Sequence, residues 1–439
     1  MNTLKKISLA SAVALATLGM AGPAFAEVPG ESAYIFNTFS FLISGVLVFW
    51  MAAGFSMLEA GLVRTKNTTM QCTKNISSFS IACITFYLLG YNLMYNGVDG
   101  GFMGSLAVWG ADDSAAAGGN FESNYAAGSD WFFQVVFVAT AASIVSGTVA
   151  ERVKLMPFLL FVLVLTAVIY PVQGAWTWGA GWLSELGFVD YAGSTIVHSV
   201  GGWAALTGAI VLGARKGKYS TDGRVHPIPG SNLPLATLGT FILWMGWFGF
   251  NGGSVLALGA ADSAIEMSNV YVNTVLAAAG GILAAIVLTQ ILYKKIDLTM
   301  LLNGALAGLV SITADPASPT PGVSILIGAV GGVIVVFVVP LLDKLKIDDV
   351  VGAIPVHLVA GIWGTLAVPL SNTEATFGVQ IIGIAAIGAF VTIASAATWM
   401  LLKATVGIRV GEEEEMIGLD KTELGLEAYP EFGSGSKAM

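Results

Sequence analysis

What constrains this chain most is its alternation of long apolar stretches with short polar connections. Eleven such stretches occupy residues 33–62, 75–95, 131–150, 155–176, 188–214, 233–257, 271–293, 298–313, 322–342, 350–370 and 378–406. Each is at or near the ~20 residues with which a helix crosses a hydrocarbon core. The sequence therefore predicts an all-α integral membrane protein with eleven transmembrane helices. An odd count puts the two ends of the helical domain on opposite sides. Composition agrees: charged residues make up 11% of the chain and hydrophobic ones 55%, whereas a soluble domain carries ~25% charged residues. The 54 glycines suit helices that pack closely through small residues in lipid.

Residues 1–26 read as a signal peptide. Lys5 and Lys6 precede the apolar run 7–20, and Ala24-Phe25-Ala26 fits the small-x-small cleavage rule. A retained first helix is the alternative. The expected organisation is then a helical domain over 27–406, with its N-terminus outside, and a tail over 407–439. Two of the 19 Lys and Arg lie in the signal peptide. The others all follow odd-numbered helices: Arg64, Lys66 and Lys74; Arg152 and Lys154; Arg215, Lys216, Lys218 and Arg224; Lys294 and Lys295; Lys344 and Lys346; Lys403, Arg409, Lys421 and Lys437. By the positive-inside rule that side and the tail are cytoplasmic. The opposite loops are acidic, with Asp99, Asp130, Glu185, Asp262, Asp315 and Glu374 among their residues. A negative mouth concentrates cations, although lysine avoidance alone also leaves this imbalance. Cys72 and Cys83, if on one helix, lie about 16 Å apart along its axis, too far for a mutual disulfide. No metal or cofactor motif is visible.

Helices one to five and six to ten read as two inverted halves followed by an eleventh helix, a transporter plan with its site near the midplane. Each half ends on a helix with an intramembrane histidine. The first is in Val197-His198-Ser199-Val200-Gly201-Gly202-Trp203, the second in Val356-His357-Leu358-Val359-Ala360-Gly361-Ile362-Trp363. An ionisable side chain in hydrocarbon marks a functional site by default, and a matched pair is a stronger signal than one satisfied core histidine. The two helices enter from opposite sides. Their histidines meet only if each lies about 15 Å deep, ~10 residues into its helix. That requirement starts the fifth helix near Phe188, which puts Asp190 inside the membrane, and sets Asp348 and Asp349 at the inner start of the tenth.

Aromatic side chains gather at helical spacing. Phe133 and Phe137 are four apart, and Trp247, Phe250 and Ser254 fall at i, i+3 and i+7. Trp178 precedes the fifth helix at the outer surface. Rings with one hydroxyl suit a small cation that must shed water, through cation–π attraction and a hydrogen bond. Interfacial belts and plain core packing give similar stripes.

With these residues placed, the chain resembles the ammonium transporter family (Amt/Mep/Rh), bacterial Amt type, over nearly all of the mature sequence. The resemblance rests on Asp190-Tyr191-Ala192-Gly193-Ser194-Thr195-Ile196-Val197-His198, on Asp348-Asp349 followed by His357, on Phe133-Gln134 through Phe137, and on Gly246-Trp247-Phe248-Gly249-Phe250-Asn251 through Ser254. It implies a pore in each subunit of a homotrimer in the bacterial inner membrane. Carried over by residue, Phe133, Phe137, Trp178 and Ser254 match an outer ammonium-binding site. Phe137 and Phe250 match a ring gate beneath it. His198 and His357 match twin pore histidines, and Asp190 an acid that shapes the site and assists deprotonation. Neutral ammonia crosses hydrocarbon at far lower cost than ammonium, and two facing imidazoles share one proton and titrate as a pair. Separate passage of ammonia and its proton, with net charge movement, is the expected mechanism.

The linker Val350-Val351-Gly352-Ala353-Ile354-Pro355-Val356 departs from the family pattern, and Pro355 removes a backbone donor near His357. The tail from Gly407 to Asp420 resembles the family's regulatory region, which implies docking on a neighbouring subunit and binding of a PII-type protein. Its Glu412-Glu413-Glu414-Glu415 run otherwise reads as a solvated helix start, and the segment 424–429 departs slightly from the usual pattern. Two rivals remain. An ammonium sensor is expected to need a signalling domain larger than the roughly 30 residues after Arg409, and an enzyme needs a nucleophile or metal ligands beside the histidines. A passive ammonia channel is a variant that predicts flux without current. The expected partners are ammonium or ammonia, lipid, further copies of the chain and the PII-type protein, with no nucleic acid.

Overall fold

A computed structural model describes residues 29–432, which form a bundle of helices with no strand among the described residues. Among these residues, nine helices are long and apolar enough to cross a membrane: α1 (Gly30–Leu62), α2 (Thr65–Tyr95), α3 (Ala127–Thr148), α4 (Leu155–Ala175), α5 (Ser194–Leu212), α6 (Leu233–Gly253), α7 (Ala261–Tyr293), α9 (Pro321–Lys344) and α11 (Phe377–Thr405). Two shorter apolar helices, α8 (Leu298–Ile312) and α10 (Ile354–Leu370), coincide with the eighth and tenth expected segments. They fall short because α8 stops at 15 residues and α10 begins late, behind a turn. The signal-peptide segment lies outside the described residues.

Polarity is distributed as lipid demands. Ile84, Leu283, Ile393 and Leu401 point outward and are exposed, while Asn67, Gln71, Asn251, Thr274 and Gln380 are buried within the bundle. Polar N-caps start several helices: Asn232 accepts the Leu235 N–H at 2.9 Å, and Asp297 accepts that of Thr299 at 2.8 Å, each satisfying a donor that a helix end otherwise leaves open. The most extensive helix pair joins α1 to α6. Its closeness depends on glycine. A Cβ on Gly239 would meet Gly54 O at 2.7 Å, and one on Gly61 would meet the Ala236 nitrogen at 2.5 Å.

The starts of α2, α3, α5 and α10 differ from expectation, because polar residues enter the bundle interior wherever they find partners. Helix α2 starts at Thr65 rather than residue 75, so Lys74 is a fully buried helix residue and not a loop cation. Its ammonium donates to Ser146 O at 2.7 Å. Helix α3 begins at Ala127, which brings Asp130 into its first turn. Helices α5 and α10 begin at Ser194 and Ile354, so Phe188 and Asp190 precede α5. Pro355 is the second residue of α10, where its missing N–H costs no helical bond. Cys72 and Cys83 are both free.

On the face rich in Lys and Arg, an ion cluster ties the helix ends together. Arg215 donates to both oxygens of Asp348, at 2.8 and 2.9 Å, and to Glu151 at 3.2 Å. Arg64 donates to Glu151 at 2.7 Å. Burial alone would raise both carboxyls, but the guanidinium groups outweigh it and hold both Asp348 and Glu151 below the usual carboxylate range. The tail packs across this face of its own chain. Arg409 pairs with Glu415 at 2.7 Å, and Glu415 also accepts the Lys216 N–H. Asp420 accepts the N–H groups of Thr69 and Met70 at the start of α2. The four-glutamate run is therefore only partly a solvated face: Glu412 is exposed and Glu415 is buried.

Candidate functional site

The site is built on two matched helix starts. Asp190 receives four backbone N–H groups: Gly193 and Ser194 donate to Oδ1 at 3.0 and 2.8 Å, Thr195 and Ile196 to Oδ2 at 2.8 Å each. Asp349 does the same more sparsely, accepting from Gly352 at 3.2 Å, Ile354 at 2.7 Å and the Thr148 hydroxyl at 3.0 Å. Each aspartate precedes a histidine by eight residues, and each segment turns on a glycine five residues before that histidine. Gly193 has φ 105° and Gly352 φ 82°, a region open to glycine at no steric cost. Both helices then open with a wide turn in which N–H groups reach five residues back. His198 N–H meets Gly193 O at 2.9 Å, and Ala360 N–H bonds to Pro355 O. Such widened turns are rare and recur at functional sites.

These turns place the two imidazoles against each other. His198 Nδ1 and His357 Nδ1 are 3.2 Å apart, with ring centroids at 5.2 Å and planes within 23°. Both side chains are buried. The expectation of a meeting holds, but not the depth expected within each helix. His198 is the fifth residue of α5 and His357 the fourth of α10, because both helices begin inside the protein on an aspartate cap rather than at a membrane surface.

Above His198 stands a column of rings. Phe250 lies 5.2 Å from His198 and 4.1 Å from Phe137. Phe137 meets Phe133 at 4.8 Å and Trp178 at 5.9 Å, both edge to face. Trp247 flanks His198 at 4.9 Å and donates to the Thr313 hydroxyl at 2.8 Å. Beyond the Phe137–Phe250 pair opens a cavity of about 320 Å³, lined in part by Phe133, Phe137, Trp178 and Ser254. Trp178 is fixed by its Nε1–H to Asp190 O at 2.8 Å. The Ser254 hydroxyl donates to Phe250 O at 2.8 Å, which leaves its lone pairs for a ligand. All eight residues singled out in the sequence thus belong to one arrangement. Asp190, however, is saturated as an acceptor by the α5 backbone, so its carboxylate acts as a cap.

The sequence reading placed Asp130 only among the acidic loop residues and did not name Glu59. Asp130 lines the same ring-lined cavity with Tyr91, Tyr95 and Tyr125, and accepts from the Tyr91 hydroxyl and from Gln134 Nε2. It precedes Phe133, Gln134 and Phe137 by three, four and seven residues, a helical face that periodicity could have revealed had α3 been extended by one turn. Glu59 lies on the other side of the histidines, inside the first apolar stretch, where an ionisable side chain was itself a signal the sequence reading did not use.

Comparison with known proteins identifies the family. A family model described as Ammonium Transporter Family matches residues 39–429. The chain belongs to the ammonium transporter family. Among its relatives, ammonium transporter Amt2 of Archaeoglobus fulgidus is 41% identical over 421 residues, covering 89% of this chain and 87% of that protein. A putative ammonium transporter of Synechocystis is 41% identical over 401 residues, covering 90% and 89%. The fold is similar to a solved structure titled Sensor Amt Protein, with TM-score 0.82, 34% identity and 89% and 99% coverage. It is also similar to Candida albicans Mep2, with TM-score 0.76, 27% identity and 86% and 87% coverage.

Proposed function

We propose that the protein takes up ammonium by binding the cation among Phe133, Phe137, Trp178 and Ser254, removing its proton, and passing ammonia and the proton separately past His198 and His357. The observation that carries this reading is the continuity of the column: a ring-lined cavity, a stacked pair closing it, and two buried imidazoles in hydrogen-bond contact directly beneath. Rings and a hydroxyl replace the water that the cation sheds. The Asp130 carboxylate adds a negative charge at the cavity wall. The Phe137–Phe250 stack bars hydrated ions, and only the neutral molecule follows at acceptable cost. The proton takes the imidazole pair, so transport is electrogenic.

The same reading makes the eleven helices two inverted halves plus α11, each subunit its own pore, with a homotrimer in the bacterial inner membrane. The repeated Asp-Gly-His spacing of α5 and α10 supports the two halves. Residues 1–26 are the cleaved signal peptide, 27–406 the transport domain and 407–439 a cytoplasmic regulatory tail able to meet a PII-type protein. Similarity to a protein titled Sensor Amt Protein favours one second reading, in which ligand binding is signalled through the tail.

The test is an ammonium jump on proteoliposomes of purified protein, with a potassium jump as control. Transport predicts a saturable current with ammonium alone, abolished or changed in His198→Ala. An equally selective, unaltered current in that variant refutes the relay. Isotopic flux without current points to a passive channel, and neither flux nor current to the sensor.

A further inference from the structure

Below the histidines the proton needs a way out, and the proposed transport reading uses no group there. Glu59 on α1 lines a narrow cavity together with Phe55, Ser143, Asn303, Val356 and His357. Its water-accessible space is ≈ 10 Å³, room for about one water molecule. Glu59 is 1% exposed. Its Oε2 accepts three hydrogen bonds, from Gln71 at 2.7 Å, Asn75 at 3.0 Å and the Ser146 hydroxyl at 2.8 Å. Its Oε1 is buried with no partner among the described residues. A buried carboxylate held on one oxygen and open on the other is costly as a purely structural element. It suits a group that takes up and releases a proton.

The surroundings fit that use. Lys74 on α2 donates to Ser146 O, so one residue bridges the two charges. The Lys74 ammonium also lies 4.9 Å from the Phe158 ring centroid. The other charged groups nearby are engaged. Arg152, in the turn after α3, donates to Thr148 O and Ala150 O, and Asp349 caps α10. Asn303 and Val351 line both the Glu59 cavity and a wider inner vestibule of about 480 Å³ that Asp349, Asp343 and Lys218 also line. The two spaces are therefore neighbours across Asn303 and Val351.

We propose that Glu59 is the proton carrier of the inner half, receiving the proton from His357 and delivering it to the inner vestibule. This rests on the transport reading above. With Nδ1 of His357 turned to His198, the exchanging nitrogen is Nε2. The His357 Nε2–H bond breaks as an O–H bond forms at Glu59 Oε1, through one water. Glu59 becomes neutral, then passes that proton to vestibule water and is a carboxylate again. Lys74, held by Ser146 O, lies beside the carboxylate between passages.

The experiment is Glu59→Gln in the full chain, read against wild type in the ammonium-jump assay. If wild type carries no ammonium current, the transport reading itself fails. Given a wild-type current, the variant should lose it by on the order of tenfold or more, the scale of removing a positioned acid–base group, with its unfolding midpoint unchanged. A variant current equal to wild type at every pH overturns the proposal. Should the amide destabilise the fold, Glu59→Asp decides: a carrier role predicts recovery of current above the Gln level, and no recovery refutes it. An ammonium-minus-buffer infrared difference spectrum is the second readout. Wild type should show a protonated-carboxyl band that Glu59→Gln lacks, and the same band in both excludes Glu59.

Discussion

The Asp190 cap offers the sharpest perturbation of the site. Asp190→Asn keeps size and shape but offers one oxygen where four N–H groups now converge. The amide oxygen retains two of them, and its NH2 faces the other two. Each hydrogen bond to a charged group contributes about 1.5–3 kcal/mol, so losing two costs about 3–6 kcal/mol. The lower end is expected, because the amide is easier to bury than the carboxylate. The damage is local: the four donors belong to residues 193–196, and His198 follows two residues later. Asp349→Asn should cost less, because three donors rather than four converge there, one of them the Thr148 hydroxyl. Denaturant unfolding in mixed micelles, with the ammonium current measured on the same preparations, tests both. An Asp190→Asn variant that unfolds like wild type and carries an unchanged current would refute the capping argument. Equal losses in the two variants would refute the comparison.

Three further outcomes are expected. Asp130→Asn should raise the ammonium concentration for half-maximal current about tenfold, since a charge at ~6 Å in an effective dielectric of ~40 contributes about 1.4 kcal/mol; an unchanged value would remove Asp130 from the site. Asp348→Asn should destabilise the fold by about 3 kcal/mol, the low end for breaking a buried ion pair. Asp348 is held below the usual carboxylate range by its arginines, against the opposing effect of burial. Its stabilisation is therefore full above that range and lost as pH falls through its depressed folded value, so the variant should lack that acid-side decline in unfolding midpoint. Phe250→Ala opens the ring pair at 4.1 Å and should let a potassium current appear, whereas retained selectivity would place the gate elsewhere.

Much of the site was legible because intramembrane chemistry is sparse. His198 and His357 stand out against apolar sequence, and the rings fall at helical spacing. The helix starts were harder to read. A hydropathy pattern cannot tell a helix that begins at the membrane surface from one that begins inside the protein, because apolar residues in a buried turn, such as Phe188, Val189 and Ala192 before α5, extend the apolar run without being helical. Lys74 misled for the opposite reason. A lysine in sequence looks like a loop cation, and only three-dimensional partners such as Ser146 O and the Phe158 ring make its burial tolerable. Glu59 stood inside an apolar stretch, but the donors that hold it, Gln71, Asn75 and Ser146, come from two other helices and could not be read from its own segment.

The Nδ1–Nδ1 contact has a directional consequence for the proposed relay. One imidazole must donate and the other accept, so the neutral pair carries one bare Nε2 and one Nε2–H at its two outer ends. With His198 donating, its bare Nε2 faces the incoming proton. Uptake there, transfer of the shared proton to His357, and release of His357 Nε2–H pass one charge inward. The pair is then left with the shared bond reversed, His357 donating. A second proton cannot follow until both imidazoles return to the first tautomers. Two histidines in this geometry thus conduct in single steps separated by a reset, unlike a continuous water file. Replacing one of them by a residue that admits water should therefore loosen the coupling of proton to ammonia, letting protons cross without substrate, and should not simply slow the cycle. A proton leak absent from wild type and present in His357→Ala is the signature of that loss; a variant that is slower but equally tight would show that coupling resides outside the pair.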